Sequence, residues 1–403
     1  MSHRGLQTDL IHHGYRAPPE FEAVPVGVHK ASTVLFPNVA AMRSRVWVDK
    51  SAYTYGLHGT PTTFVLEERL ATLEGGFHCV LVPSGLAAIG LVDLAFLRQG
   101  EEVLIPHNAY GPNASLARKQ LTQWGIGHRF YDPMVPQSLV DGLNAQTRLV
   151  WLEAAGSVTL EFPDVPALVQ MVRAENQRRE AEGLNVRPAI TALDNTWGAG
   201  VAFPPFDLGV DLSMQALTKY PSGGADVLMG SVVTRDPELH HALLMTHMHL
   251  GLGVAGNDAE LVLRGLPSMH LRYRAQDAAT RQLARWAQEQ PGVARVFHPS
   301  LPGSPGHEHW KRDAQGAACL FSLVFDPTVP VEAIDAFCDH LRLFRLGYSW
   351  AGPMSLCLPY DMPSMRPGNW PYAPTLVRLA VGLEDVTDLQ HDLQQALKQL
   401  QAV

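Results

Sequence analysis

Between residues 79 and 234 short apolar runs alternate with longer helical patterns. "CVLVPSG" (79–85) is an apolar run broken by Ser-Gly and predicts a strand. "LAAIGLVDLAFLRQG", which follows it, predicts a helix. "EEVLIPHNAY" predicts a strand at 102–106, "TRLVWLEAAG" one at 148–153 and "PAITALDNTWG" one at 188–194. "VDLSMQALTKY" and "VLMGSVVT" predict two more. Apolar strands without strict alternation, separated by helices, imply a mainly parallel sheet covered on both faces. Ahead of this pattern, "PTTFVLEERLATLEG" (61–75) predicts a helix. Pro61 suits its first turn, and Gly75 and Gly76 stop it.

The pattern changes at both ends. Residues 256–290 predict a charged linking helix. Beyond it, "GAACLFSLVF", "VRLAVGLE" and the amphipathic tail "DVTDLQHDLQQALKQL" predict an α+β unit. Residues 1–60 are rich in Pro, Gly and Tyr with little periodicity, and are expected to form an arm lying on another surface. The expected division is therefore an arm at 1–60, a large domain at 61–255 and a C-terminal domain at 256–403. No internal repeat or low-complexity tract interrupts it.

Composition narrows the function classes. The 46% hydrophobic content supports an ordinary large core, and the net charge of −8 argues against a general nucleic-acid binder. No apolar run is long enough to span a bilayer, and the N-terminal stretch lacks the apolar segment of a secretory signal. Cys79, Cys319, Cys338 and Cys357 form no CxxC pair, so reduced thiols and a cytoplasmic location are expected. The histidine clusters "IHHG" and "THMHLG" lack metal-ligand spacing, and no metal site is expected.

In open α/β sheets, ligands gather at the carboxyl ends of the strands. Those positions hold Ser84-Gly85-Leu86 opening a helix, Tyr110 in a loop, Asp194-Asn195-Thr196-Trp197, and Thr218-Lys219. Singly, each has an ordinary explanation. Ser84 could simply start a helix, Asp194 could cap a turn, Tyr110 could be core, and Lys219 could be solvated. Together they offer an anion cradle, a flat aromatic, a carboxylate and an amine. Pyridoxal 5′-phosphate (PLP) needs all four: an amine for its aldehyde, a carboxylate for its ring nitrogen, a stacking face and amides for its phosphate. "QALTKYPSGGADVLMG" (215–230) places the amine between small or hydroxyl-bearing neighbours, which a surface lysine does not require.

The motifs "YGLHGTPT…LEGG", "PSGLAA", "NAYGP", "LEAAGS", "DNTWGAG", "TKYPSGGADVLMG", "HPSLPGSPGHEHWKRD", "LGYSWAGPMS" and "VRLAVGLED" carry a resemblance over nearly the whole chain. The sequence resembles the Cys/Met-metabolism PLP-dependent enzymes, the cystathionine lyase and synthase group, and within it the bacterial cystathionine β-lyases. That resemblance implies the fold type I (aspartate aminotransferase type) architecture, with a mainly parallel seven-stranded sheet and a smaller C-terminal α+β domain. It implies Lys219 as Schiff-base lysine and, with Tyr110, as a proton-transfer group. It implies Asp194 on the pyridine nitrogen, Tyr110 on the ring, and Gly85, Leu86 and Thr218 on the phosphate. Tyr55 would reach the phosphate of a neighbouring subunit's cofactor. Arg378, with Ser349 and Ser157, would hold the substrate carboxylate, and Trp350 in "YSWAG" resembles the β-lyase pattern. A homotetramer with shared sites and a sulfur amino acid substrate follow from the same likeness.

The sequence departs from that family in three places. Leu57 stands where an arginine is usual, with His58 beside it. Ser115 replaces an acidic residue, and Met354 replaces a glutamate. The implied activity is β-elimination of L-cystathionine to homocysteine, pyruvate and ammonia. A cysteine-S-conjugate or S-alkylcysteine β-lyase, or a γ-lyase or γ-synthase, is the alternative within the fold. A catalytically silent binding relative is the alternative outside it. A dinucleotide-binding dehydrogenase is disfavoured because no GxGxxG follows the first strand.

Overall fold

The computed structural model describes residues 23–184, 186–366 and 370–401. Its larger sheet has seven strands: β1 (His78–Val82), β2 (Glu102–Pro106), β3 (Gly127–Tyr131), β4 (Thr147–Glu153), β5 (Ile190–Asp194), β6 (Leu212–Ala216) and β7 (Gly230–Thr234). Their spatial order is β1-β7-β6-β5-β4-β2-β3. The pairs from β6 through β3 are parallel, and β7 runs antiparallel to both neighbours. A mainly parallel seven-stranded sheet is thus observed, with one reversed strand. All of β4 is buried, which explains its unbroken apolar run. Trp151 in its centre is fully buried, and its indole N–H donates to Asp93 at 2.9 Å.

The helix expected at 61–75 is α1 (Pro61–Glu74). Thr60 and Thr63 form a reciprocal capping box at its start, and Gly75 ends it in the left-handed region. Helix α2 (Gly85–Phe96) packs its buried Ala88, Ile89, Leu91 and Val92 with the apolar strands of one sheet face. The charged segment forms a single long helix, α3 (Gly256–Ala287), despite an internal Pro267. Arg272 of α3 donates to the carbonyl of Tyr220 at 2.8 Å, which ties this helix to the turn that carries Lys219.

The second sheet has five strands, β8 (Val293–Phe297), β9 (Leu320–Phe325), β10 (Arg345–Leu346), β11 (Leu356–Asp361) and β12 (Thr375–Ala380), in the order β10-β11-β12-β9-β8. Its core is a separate cluster that includes Phe321, Phe325, Phe337 and Leu393. Strand β3 was not predicted. It lies at the sheet edge, and its sequence GHRFY has only Tyr131 buried.

Of the arm, residues 1–22, including the "IHHG" cluster, lie outside the described residues. The rest is mostly exposed and joins itself through a bridge between Thr33 and Tyr55. The four cysteines are free and buried. Among the described residues no helix is long and apolar enough to cross a membrane.

Candidate active site

Five strands of the larger sheet, β1, β2, β4, β5 and β6, lead into one cavity of about 290 Å³. Ser84 caps α2 by accepting the Ala87 N–H at 3.0 Å, which leaves the first amides of the helix, Gly85 and Leu86, without helical partners. Gly85 is required here, because a β-carbon would stand 2.6 Å from that of Ala216 on β6. Asp194 ends β5 and is buried, with Oδ1 accepting the Thr196 N–H at 3.0 Å. In register beside it, Glu153 ends β4. Tyr110 follows β2, 44% exposed, and its backbone N–H donates to Glu153 at 2.7 Å.

Beyond β6 the chain makes the turn that presents Lys219. The Lys219 N–H donates to Ala216 at 3.1 Å and its carbonyl accepts from Gly223 at 2.9 Å. Gly223 takes φ +66°, which favours glycine. Nζ lies 3.4 Å from the Thr218 hydroxyl. Burial, followed by the nearby Arg378 charge, draws the Lys219 amine down to about 8, and Asp194 opposes the shift. Burial raises the Asp194 carboxyl and, aided by Asp194, that of Glu153.

The smaller sheet supplies the opposite wall. Arg378 lies on β12 between Leu358 and Ser322. Its Nη2 donates to the Ser349 carbonyl at 3.2 Å, and its carbon centre stands 5.4 Å from the Tyr360 ring. Its Nε is buried and without a partner among the described residues. A guanidinium lining a cavity suits a carboxylate. Ser349 and Ala351 hold φ of +92° and +64°, a strained backbone around Trp350.

The cavity brings together Gly85, Leu86, Tyr110, Ser157, Asp194, Thr218, Lys219, Ser349, Trp350 and Arg378. Tyr55 does not line it. That residue is 46% exposed, with its ring edge-on to His58 at 6.0 Å. His58 stacks on Trp47 at 4.5 Å, and burial lowers its pKa. Sequence reasoning missed Glu153, Thr196 and Tyr360. For Glu153 the available signal was an acidic residue directly after the apolar run 149–152.

The donor set fits PLP: a half-buried amine of lowered basicity, a buried carboxylate, an aromatic, and helix amides beside a position where only glycine has room. The fold and this set define a fold type I PLP-dependent enzyme. Its family is shown by comparison. Residues 7–398 match the model of the Cys/Met metabolism PLP-dependent enzymes, and the chain belongs to that family. It is 38% identical to the cystathionine beta-lyase MetC of Escherichia coli (strain K12), covering 98% of both chains. It is 32% identical to an L-alanine/L-glutamate racemase of Wolbachia pipientis wMel, over 93% of this chain and 92% of that one. Among solved structures, a cystathionine gamma synthase from Xanthomonas oryzae pv. oryzae superposes with a TM-score of 0.84 at 30% identity, covering 96% of this chain and 95% of that one.

Proposed function

We propose that the protein is a carbon–sulfur β-lyase, converting L-cystathionine and water to homocysteine, pyruvate and ammonia. The observation that carries this reading is the placement of the Lys219 amine with Asp194 and Arg378 around one cavity. Bound PLP supplies an electron-withdrawing ring that accepts the electron pair released when a substrate Cα–H bond breaks. Lys219 anchors the cofactor, and once its amine is free it removes that proton at Nζ. An amine near 8 is partly neutral at physiological pH, as a general base must be. Asp194 would hold the pyridine nitrogen, the amides of Gly85 and Leu86 with the Thr218 hydroxyl would hold the phosphate, and Tyr110 would pack on the ring.

Arg378 binds the substrate carboxylate and so fixes which Cα bond is aligned for cleavage. Ser349 and Trp350 shape that end of the cavity. The Ser157 hydroxyl already donates to Glu153 at 2.7 Å, so it meets substrate through its oxygen. Lys219 or Tyr110 gives a proton to the departing sulfur. The domain boundaries at 60/61 and 255/256, the arm serving a neighbouring subunit through Tyr55, and a homotetramer belong to the same proposal.

A second reading has its own support. Arg378 and Lys219 are the only lysine and arginine lining the cavity among the described residues, and both have work there. Leu228, at 73% exposure, and Tyr348, at 84%, form an apolar rim. A cysteine with an uncharged S-substituent fits that rim better than the zwitterionic far end of cystathionine. A panel of cystathionine, cystine and S-alkylcysteines, with identification of the keto acid, tests both readings. Pyruvate supports β-elimination. 2-Oxobutyrate from cystathionine would replace it with γ-elimination.

A further inference from the structure

Glu153 is a buried acid on the cavity wall, and both of its oxygens are used. Oε2 accepts the backbone N–H of Tyr110 at 2.7 Å, and Oε1 accepts the Ser157 hydroxyl at 2.7 Å. The two donors sit on different loops, one after β2 and one after β4. The Tyr110 carbonyl accepts the Asn113 N–H at 2.9 Å in the helix that follows, and the bond to Glu153 fixes the other side of the residue, its N–H. A second bond, from the Ser157 N–H to the Asn108 carbonyl at 2.7 Å, ties the same loops beside the first.

This arrangement costs stability. Glu153 faces Asp194 in register on the neighbouring strand, and no ion pair among the described residues compensates it. Burying two carboxyl groups together is unfavourable, and a glutamine would relieve that strain while still accepting from Tyr110. The buried Asn108 Oδ1 in the loop after β2 has no partner among the described residues, so the region is not tuned for packing alone. A feature kept at such a cost, at the junction of the two loops that line the cavity, points to function.

We propose that Glu153 is a positioning residue: its two hydrogen bonds set where the Tyr110 ring and the Ser157 hydroxyl stand in the cavity. The proposal rests on the reading of this cavity as a PLP site. Both Glu153 oxygens are engaged by protein donors, and the residue acts through Tyr110 and Ser157.

Three variants of the full chain, loaded with PLP, test it: Glu153→Gln, Glu153→Asp and Glu153→Ala. Gln keeps the side-chain length, an acceptor for Tyr110 and a polar group for Ser157, but not the charge. Asp keeps the charge but withdraws the oxygens by one methylene. The expected result is a loss of about 10²-fold in kcat for E153A, at least about 10-fold for E153D, and less than about 5-fold for E153Q. KM should move less than kcat in each. Circular dichroism in the cofactor's visible band, read without substrate, should change in E153A and E153D and return to the parent signal in E153Q. The contrast between Gln and Asp decides the matter even if the Ala variant does not fold. An active E153D beside an inactive E153Q would overturn the proposal, because charge rather than placement would then matter. So would parent-like dichroism and kcat in E153D. If the parent chain makes no pyruvate from any thioether, the lyase reading fails while the dichroism still reports on Glu153.

Discussion

The Nζ of Lys219 stands 5.5 Å from the centroid of the Trp350 ring. The lysine follows the end of β6 in the larger sheet, and the tryptophan sits in the strained segment before β11. A cation over an aromatic face is favoured by about 0.5–2 kcal/mol, depending on desolvation. Burial and Arg378 act the other way, outweigh the opposing Asp194 charge and hold the amine near 8.

That balance predicts a titration. Burial and a neighbouring cation both disfavour the charged amine, so the neutral form appears at lower pH than for a solvated lysine. In protein stripped of cofactor, modification of Lys219 by an amine-specific reagent should be slow below pH 8 and rise with a midpoint near 8. Exposed lysines should follow their usual midpoint of about 10.4. Arg378→Ala removes one of the lowering charges and should move the Lys219 midpoint upward. Peptide mapping of the modified protein across a pH series measures both. A midpoint shared with the surface lysines would remove the base from the mechanism.

Lys219→Ala should abolish covalent attachment of the cofactor. Borohydride treatment of the parent chain should fix label on the peptide carrying Lys219 and on no other, and the variant should show none. Because the same amine moves the Cα proton, pyruvate formation should fall by about 10³-fold or more. Free PLP added to the variant should not restore it.

The residues behind these two predictions differ in how far the sequence disclosed them. Lys219, Asp194, Tyr110 and Gly85 could be found because each follows an apolar strand, and strand ends in such sheets converge on one side. Glu153 also ends a strand, but "LEAAG" offers no visible reason for an acid there. Its purpose lies in donors on Tyr110 and Ser157, which only the folded chain brings within reach. Strand β3 was hidden for a different reason. As an edge strand it buries little, so its polar pattern resembles a loop. Arg378 reads as an ordinary strand arginine until β12 is seen to run past the cavity.

Arg378 offers the clearest separation of binding from packing. Its Nη2 leans on the Ser349 carbonyl and its Nε has no partner among the described residues. Arg378→Lys keeps the charge but loses the planar fork, so it should raise KM for any amino acid substrate. We expect kcat/KM to drop by about 10²-fold, the scale of one lost bidentate contact to a carboxylate. Cofactor content should be unchanged, which absorbance of the purified variant checks directly. A variant with parent KM would place the substrate carboxylate elsewhere.

Tyr55 is the one expected site residue outside the cavity. If it serves a neighbouring subunit, a site needs Lys219 from one chain and Tyr55 from another. Lys219→Ala and Tyr55→Ala should then each be nearly inactive as pure proteins. Mixed after dissociation and allowed to reassemble, they should regain activity. In a hybrid pair, one site carries both lesions and the other carries neither, so equal mixing should restore roughly a quarter of parent sites under two-fold symmetry. Activity measured before and after reassembly, with size-exclusion chromatography to confirm exchange, checks the arithmetic. Exchange without recovery would mean that Tyr55 acts within its own chain or not at all. The shared-site assembly would then lose its support.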